Sequence, residues 1–352
     1  MKTLMKGNEA VSAAAIAAGC KAFFGYPITP QNEIPEYMSA KMAESGGVFV
    51  QAESEIAAIN MIYGGAAAGA RVMTSSSSPG IALKQEGISY LCAARLPCLI
   101  VSVMRCGPGL GGILPSQADY FQATRGGGNG DYNTPVYAPN SIQEATDLVQ
   151  KAFNVAEQYR TPVMVVMDGL LGQMMEPAEI KPIPRFKNDT DKYATNGESG
   201  RRGRNIVNSL NLQAAALEQS NLRLAEVYKE IIKNEVMYES TVEDGDELVI
   251  AAYGTPSRIA QNAVAELRAR GIKTGLIRPV TLWPFPDLAF QSLPSSVKNV
   301  LVCELSMGQM VQDVRLALNG KLPVHFYGRT GGVIFEPEEI VEKALEIAGG
   351  GQ

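Results

Sequence analysis

The chain has 352 residues, enough for two domains with cores of their own, and its mixture of Gly, Ala and Val suits an α/β protein. Its 31 basic and 36 acidic residues leave a formal net charge of -5 with no basic stripe, which excludes the electrostatic footprint of a nucleic-acid binder and points to a small-molecule ligand. No segment has the apolar length of a signal peptide or a membrane span, so a cytoplasmic protein without membrane contact is expected.

In chain order, a small-residue helix is expected from 8 to 19, ended by a Gly cap, and KAFFGY then reads as a short buried strand. A helix from 31 to about 43, a strand at VFVQ, a helix headed by Glu55, a strand at ARVMT, a helix after Pro79 and a strand at LIVSVMR follow. This alternation is the βαβ rhythm of a parallel sheet covered on both faces. After a Gly-rich loop, Ser141 caps a helix reaching 158, PVMVVMD completes the sheet, and Gly169 turns the chain outward. Residues 176 to 205, rich in Pro, Asn, Asp, Arg and Gly, read as a linker or arm, followed by a long helix from about 208 to 238. A second α/β unit begins at Glu247, with strands at ELVIAAYG, KTGLIRPV, NVLVCEL and PVHFYG, which sets a boundary near residue 240.

The five cysteines, Cys20, Cys92, Cys98, Cys106 and Cys303, are scattered and form no Cys-x-x-Cys pair, so buried reduced thiols are expected and no metal site is assigned. The single histidine, His325, lies in the strand-like run LPVHFYG and reads as structural. With the single histidine placed there, neither a histidine-based triad nor a His-rich metal site can be built in the first domain.

Chemistry is expected in loops at the carboxyl ends of the parallel strands. In GYPITPQ, Pro27 and Pro30 fix the backbone around Ile28 and Thr29 and hold the Thr29 hydroxyl in one direction, as a substrate-orienting donor requires. Thr29 as a plain helix N-cap is the competing reading. Glu55 heads a helix of small residues that lets another surface approach closely, and an inward carboxylate there needs a hydrogen-bond partner such as a cofactor's ring nitrogen. A simple interaction with the helix dipole is the alternative. The run from Thr74 to Gly80, which includes Ser76, offers hydroxyls and amides at a helix N-terminus, although a turn accounts for it too.

The segment Arg105-Cys106-Gly107-Pro108-Gly109-Leu110-Gly111-Gly112 matches G-x-G-x-x-G, with Asp131 at a distance suited to a ribose-binding acid. Pro115 nevertheless interrupts the helix that would have to hold the pyrophosphate, which argues against a dinucleotide site. Arg105 instead suits a fork-like grip on a carboxylate, with a loop-pinning salt bridge as the competing role.

The runs GNEAVSAAAIAAGCKAFFGYPITP, EIAAI, MRCGPG, SQADYFQATRGGGNGD and PVMVVMDGLLGQMMEP, with RPVTLWPFP and ELSMGQM farther on, resemble the alpha subunit of 2-oxoacid:ferredoxin oxidoreductases nearly end to end. Within that family the chain is most similar to the branched-chain (3-methyl-2-oxobutanoate) enzyme. The resemblance implies a thiamine diphosphate pyrimidine-binding-type parallel-sheet domain over 1–185, a linker arm and long helix over 186–240, and a transketolase C-terminal-like α/β domain over 241–352. It further implies oxidative decarboxylation of a 2-oxoacid to acyl-CoA and carbon dioxide, with electrons passed to ferredoxin. Coenzyme A is the co-substrate.

By motif match, Glu55 bonds the aminopyrimidine ring, Pro27, Ile28 and Ser76 border the cofactor, and Thr29 and Arg105 hold the substrate. A Gly-Asp-Gly diphosphate motif is missing: Met167 precedes Asp168-Gly169, and the stretch before Asn196 is unhelical. Magnesium and four-iron four-sulfur clusters are therefore expected in partner chains: a diphosphate-binding beta subunit, a gamma subunit and a ferredoxin-like subunit, with an alpha–alpha contact besides. Gly109-Leu110 stands where family members often carry Ser-Thr. Asp119 and Arg125 are open between bracing the loop and the coenzyme A side. The competing readings are the same chemistry on 2-oxoglutarate or pyruvate, and a non-catalytic assembly scaffold.

Overall fold

The structure is a computed structural model that describes residues 2–198 and 203–349. Among the described residues, seven strands form one sheet in the spatial order Thr281–Trp283, Val136–Tyr137, Pro162–Asp168, Cys98–Met104, Val72–Ser76, Ala22–Gly25 and Val48–Gln51. Every neighbouring pair is parallel except the first. The two central strands are buried along their whole length, which is why both read as apolar runs rather than alternating ones.

The pleat still sorts their side chains. Leu99, Val101 and Val103 join one core with the helices Gly7–Ala17 and Ile142–Tyr159, while Cys98, Ile100 and Met104 join another with Glu55–Ala67 and Ser78–Ala93. Each fully buried aliphatic side chain contributes roughly 1.5–3 kcal/mol. The expected Ser141 cap forms, its hydroxyl accepting from the Glu144 amide at 3.2 Å.

A second sheet runs in the order Val324–Gly328, Asn299–Glu304, Leu248–Ala251, Thr274–Pro279 and Tyr238–Ser240, parallel except for the last strand. The architecture is the mixed α/β arrangement of parallel sheets that the sequence indicates.

Several details differ from the sequence reading. The long helix is shorter than expected, Ala214–Asn234. After Asp168 the chain does not simply turn outward. Asp168 caps a short helix, Gly169–Gln173, by accepting from the amides of Leu170 and Leu171, and the strand Met175–Ala178 then pairs antiparallel with Thr3–Lys6. Thr281–Trp283 crosses from the second half into the first sheet. One core cluster holds residues of both sheets, among them Ile100, Val136, Val249 and Val300.

The ELSMGQM segment docks mostly within its own chain. Gln117 donates its amide N–H to the Leu305 carbonyl at 2.8 Å and accepts the Leu305 N–H on Oε1 at 3.0 Å. Gln309 accepts from the Phe121 amide at 2.8 Å and donates to the Ala118 carbonyl at 2.6 Å. Buried Glu304 accepts from the amides of Gln309, Met310 and Val311, satisfying the head of the helix Met310–Leu318. Met307 alone of this run is strongly exposed.

Candidate active site

Four adjacent parallel strands end at one edge of the first sheet, and each is followed by a sequence-flagged segment. Cys98–Met104 leads into Arg105, Val72–Ser76 ends in Ser76, Ala22–Gly25 leads into Tyr26 to Pro30, and Val48–Gln51 precedes Glu55. Strand order thus gathers residues that are far apart in sequence.

The Tyr26 to Pro30 loop is tied at both ends. Buried Gln31 donates to the Tyr26 carbonyl at 3.1 Å and accepts from the Ser75 hydroxyl at 2.5 Å, while the Pro30 carbonyl accepts from Asn8 and Gln173, each at 2.8 Å. Thr29 is half-buried, and its hydroxyl accepts from Asn32 Nδ2 at 3.2 Å. The helix itself begins later, at Glu33, so Thr29 is not its N-cap. Pro27 is exposed and Ile28 half-buried on the same loop.

Arg105 does pin its loop, but among the described residues it does so with no salt bridge. Its guanidinium donates to the carbonyls of Thr29 at 2.9 Å and Leu110 at 3.1 Å, leaving Nε buried without a partner. The backbone of Arg105 is clasped by Ser78, whose hydroxyl accepts its N–H at 2.9 Å and also bonds Asp119. Burial raises the Asp119 carboxyl above its ordinary range, against the lowering effects of the Ser78 hydrogen bond and the Arg105 charge. Asp119 and Arg125 both brace: Arg125 pairs at 2.5 Å with Asp313, which also accepts from Tyr120 at 2.5 Å. No helix follows Gly112, because Arg105 pairs with Pro115 across the loop, so the phosphate-binding helix of a dinucleotide site is not formed there.

Glu55 is the first residue of its helix, held there by the Ser54 cap, and is only 6% exposed. Its carboxylate lies against Gly80: a Cβ at Gly80 would stand 2.6 Å from Glu55 Oε1 and 2.0 Å from Ser76 Oγ. Glycine is required there for space rather than for backbone conformation. Ser76 and Ser77 bury hydroxyls that have no partner, as does Ser102, which registers beside Ser76 on the next strand. So many unsatisfied polar atoms in one edge are the expected signature of a site whose partner is a ligand. The missing Cβ seats the Glu55 carboxylate and the Ser76 hydroxyl against the helix backbone, a pair of polar groups that suits a ring with hydrogen-bonding nitrogens.

Lys84 was missed from the sequence. It is fully buried, its Nζ donating to Thr74 Oγ1 at 2.7 Å and to the Ser75 carbonyl at 3.0 Å. The usable signal is its place one helical turn after Gly80, on the face turned toward the Ser-rich strand end. The five cysteines are buried and free, and burial pushes the Cys20 thiol up to about 12. Among the described residues no helix is long and apolar enough to cross a membrane.

Residues 13–239 match the family described as "Pyruvate flavodoxin/ferredoxin oxidoreductase, thiamine diP-bdg", and residues 246–340 match "Pyruvate:ferredoxin oxidoreductase core domain II". The chain belongs to the 2-oxoacid:ferredoxin oxidoreductases. Among its relatives in that family is the ketoisovalerate oxidoreductase subunit VorB of Methanothermobacter thermautotrophicus, 47% identical over 98% of each chain. The 2-oxoglutarate synthase subunit KorA of Methanothermobacter marburgensis is 34% identical, over 97% of this chain and 98% of that one.

A solved 2-oxoglutarate:ferredoxin oxidoreductase from Magnetococcus marinus, with 2-oxoglutarate, coenzyme A and succinyl-CoA bound, superposes with a TM-score of 0.89 at 28% identity. The match covers 98% of this chain and 65% of that one, so this chain spans less than two thirds of its length. A split-gene transketolase, in an inactive beta4 tetramer, gives a TM-score of 0.59 at 14% identity, a likeness of fold alone. As a member of this family the chain is an oxidoreductase subunit with a thiamine diphosphate-binding fold, and its relatives are themselves named as subunits of larger enzymes.

Proposed function

We propose that the chain is the alpha subunit of an enzyme that oxidatively decarboxylates 3-methyl-2-oxobutanoate to its acyl-CoA and carbon dioxide, passing electrons to ferredoxin. The observation that carries the substrate is the 47% identity, end to end, to a ketoisovalerate oxidoreductase subunit, against 34% to a 2-oxoglutarate synthase subunit. The Arg105 loop supports it, because its tip presents Leu110, Ile113 and Leu114, exposed aliphatic residues suited to a branched hydrocarbon tail.

In this reading Glu55, seated against Gly80, meets a nitrogen of the aminopyrimidine ring of thiamine diphosphate, with Ser76, Pro27 and Ile28 bordering the ring. Thiamine diphosphate, when bound, supplies the carbanion and the electron sink that decarboxylation of a 2-oxoacid needs. This chain's residues do the rest by position. Arg105 offers its unpartnered Nε–H to the substrate's carboxylate, and the Thr29 hydroxyl, on a loop fixed from both sides, orients the 2-oxo group. The beta subunit binds the diphosphate and its magnesium, and the iron–sulfur clusters and the ferredoxin contact belong to partner subunits. No cysteine of this chain is exposed.

The test is coenzyme A-dependent reduction of a viologen dye by the chain co-expressed with its partner subunits, offered 3-methyl-2-oxobutanoate, pyruvate and 2-oxoglutarate in parallel. Highest kcat/KM on the branched acid is expected. Preference for another acid overturns the substrate, and no turnover on any by a cofactor-loaded complex overturns the catalytic role.

A further inference from the structure

Lys84 is a costly residue for this fold. A lysine ammonium with no exposure loses its hydration, and only strong hydrogen bonds and a nearby negative charge offset that loss. Two of its three N–H bonds are used, on Thr74 Oγ1 and the Ser75 carbonyl, both at the strand end that continues into Ser76. Helical side chains lean toward the helix N-terminus, so Lys84 lies over the turn that contains Gly80, where the missing Cβ leaves room for the Glu55 carboxylate.

The titratable groups that act on Lys84 are Glu55, from the neighbouring helix, and Cys98, from the adjacent strand. Burial raises the Cys98 thiol well above its ordinary range, so it stays neutral at physiological pH, and Glu55 is the source of negative charge. Burial is the largest influence on the Lys84 ammonium and brings it down to about 7, with Glu55 and then Cys98 opposing the shift. A lysine that only tied a helix to a strand could be replaced by an apolar residue of similar length, as buried ion pairs often can be. Here it lies between Gly80 and Gly87 on the stripe of its helix that packs on Glu55 and Ile59.

We propose that Lys84 is a positioning residue that acts through Glu55, supplying the buried counter-charge that holds the Glu55 carboxylate in the Gly80 gap for the cofactor's ring. The proposal rests on the reading of Glu55 given above, and it adds a group that never touches the cofactor. Its consequence is a coupling between the two side chains that is read out in cofactor binding as well as in turnover.

The experiment is a double-mutant cycle in the assembled complex, using Lys84→Met, Glu55→Gln and the pair. The dissociation constant of thiamine diphosphate with magnesium is measured by calorimetry from pH 6 to 9. The effect of Lys84→Met on that constant is expected to differ by about tenfold between the Glu55 and Glu55→Gln backgrounds, the size of one unit of differential proton affinity. A pH dependence near neutrality is expected in the wild type and is expected to vanish in either single variant. Equal effects of Lys84→Met in both backgrounds, within about twofold, overturn the proposal and leave Lys84 a strut.

If Lys84→Met does not assemble, the wild type and Glu55→Gln alone decide. Parallel pH profiles across neutrality in these two overturn the proposal, and a change confined to the wild type supports it. A Glu55→Gln complex that binds cofactor and turns over like the wild type overturns instead the role of Glu55, whatever Lys84 does.

Discussion

Arg105 holds Thr29 by its backbone: the guanidinium donates to the Thr29 carbonyl at 2.9 Å and, from its other terminal nitrogen, to the Leu110 carbonyl at 3.1 Å. One side chain therefore sets the distance between the Pro-bracketed loop and the Gly-rich loop, and its remaining Nε–H is buried without a partner among the described residues. Lysine keeps the charge but cannot span two carbonyls in fixed geometry. Arg105→Lys is expected to raise KM for 3-methyl-2-oxobutanoate by about tenfold or more, since a hydrogen bond to a charged group contributes about 1.5–3 kcal/mol. Steady-state kinetics of the assembled enzyme check this, and an unchanged KM would remove Arg105 from substrate contact.

Gly80→Ala separates two opposing effects by size. Alanine favours a helix over glycine by about 1 kcal/mol. Its Cβ, however, would stand 2.0 Å from Ser76 Oγ and 2.6 Å from Glu55 Oε1, and overpacking of this kind costs about 1–3 kcal/mol. Displacement of Glu55 and Ser76 should dominate. The variant is expected to assemble with its partners yet bind thiamine diphosphate at least about tenfold more weakly, as read by calorimetry. Wild-type affinity would show that the seating of Glu55 and Ser76 against Gly80 does not matter to the ring.

Most of the first sheet was legible because its strands are long apolar runs punctuated by Gly and Pro, and because strand-end loops are where such sheets hold ligands. Glu55, Thr29 and Arg105 stood out as residues whose chemistry is out of place in apolar or proline-fixed surroundings. Thr281–Trp283 was not legible: it is a three-residue strand whose partner, Val136–Tyr137, is contributed by the other half of the chain. The pairing of Thr3–Lys6 with Met175–Ala178 was hidden for the same reason, since short segments carry no period. Lys84 was overlooked because a lysine in ALKQEG reads as a solvated helix position. Only the strand that lies against it makes it a buried cation.

Asp119 makes a pH prediction. Burial raises its carboxyl above the unfolded value, so the folded state binds this proton more tightly than the unfolded one. For a raised acid, stability falls as pH rises between the unfolded and folded values, and the penalty is fully present above the folded value. Asp119→Asn removes the charge while its amide oxygen can still accept from Ser78. At pH 7 to 8 the variant is expected to be at least as stable as the wild type, and its advantage should shrink as pH falls through the carboxylate range. Urea midpoints at pH 5 and 8 test it. A variant that loses stability most at pH 8 would show that the charge itself is what holds the Arg105 loop.

The pair Arg278 and Glu144 joins the second sheet to the helix Ile142–Tyr159, and its two halves should not be equivalent. Arg278 is almost wholly buried and donates to both oxygens of Glu144, at 2.9 and 2.8 Å, with a further bond to the largely exposed Glu239 at 3.0 Å. Glu144 is partly open to solvent and also accepts from the Asn140 amide at 2.8 Å. Removing Glu144 takes two hydrogen bonds from a buried guanidinium and leaves it only the largely exposed Glu239, whereas removing Arg278 leaves a carboxylate that retains a donor and can reach water. Glu144→Ala is therefore expected to cost about 3 kcal/mol or more, and Arg278→Met distinctly less, because methionine fills the space without a charge. Urea unfolding of both variants orders them. If Arg278→Met proves the more damaging, the net worth of the buried ion pair exceeds its desolvation cost, and the joint between the halves is electrostatic rather than one of packing.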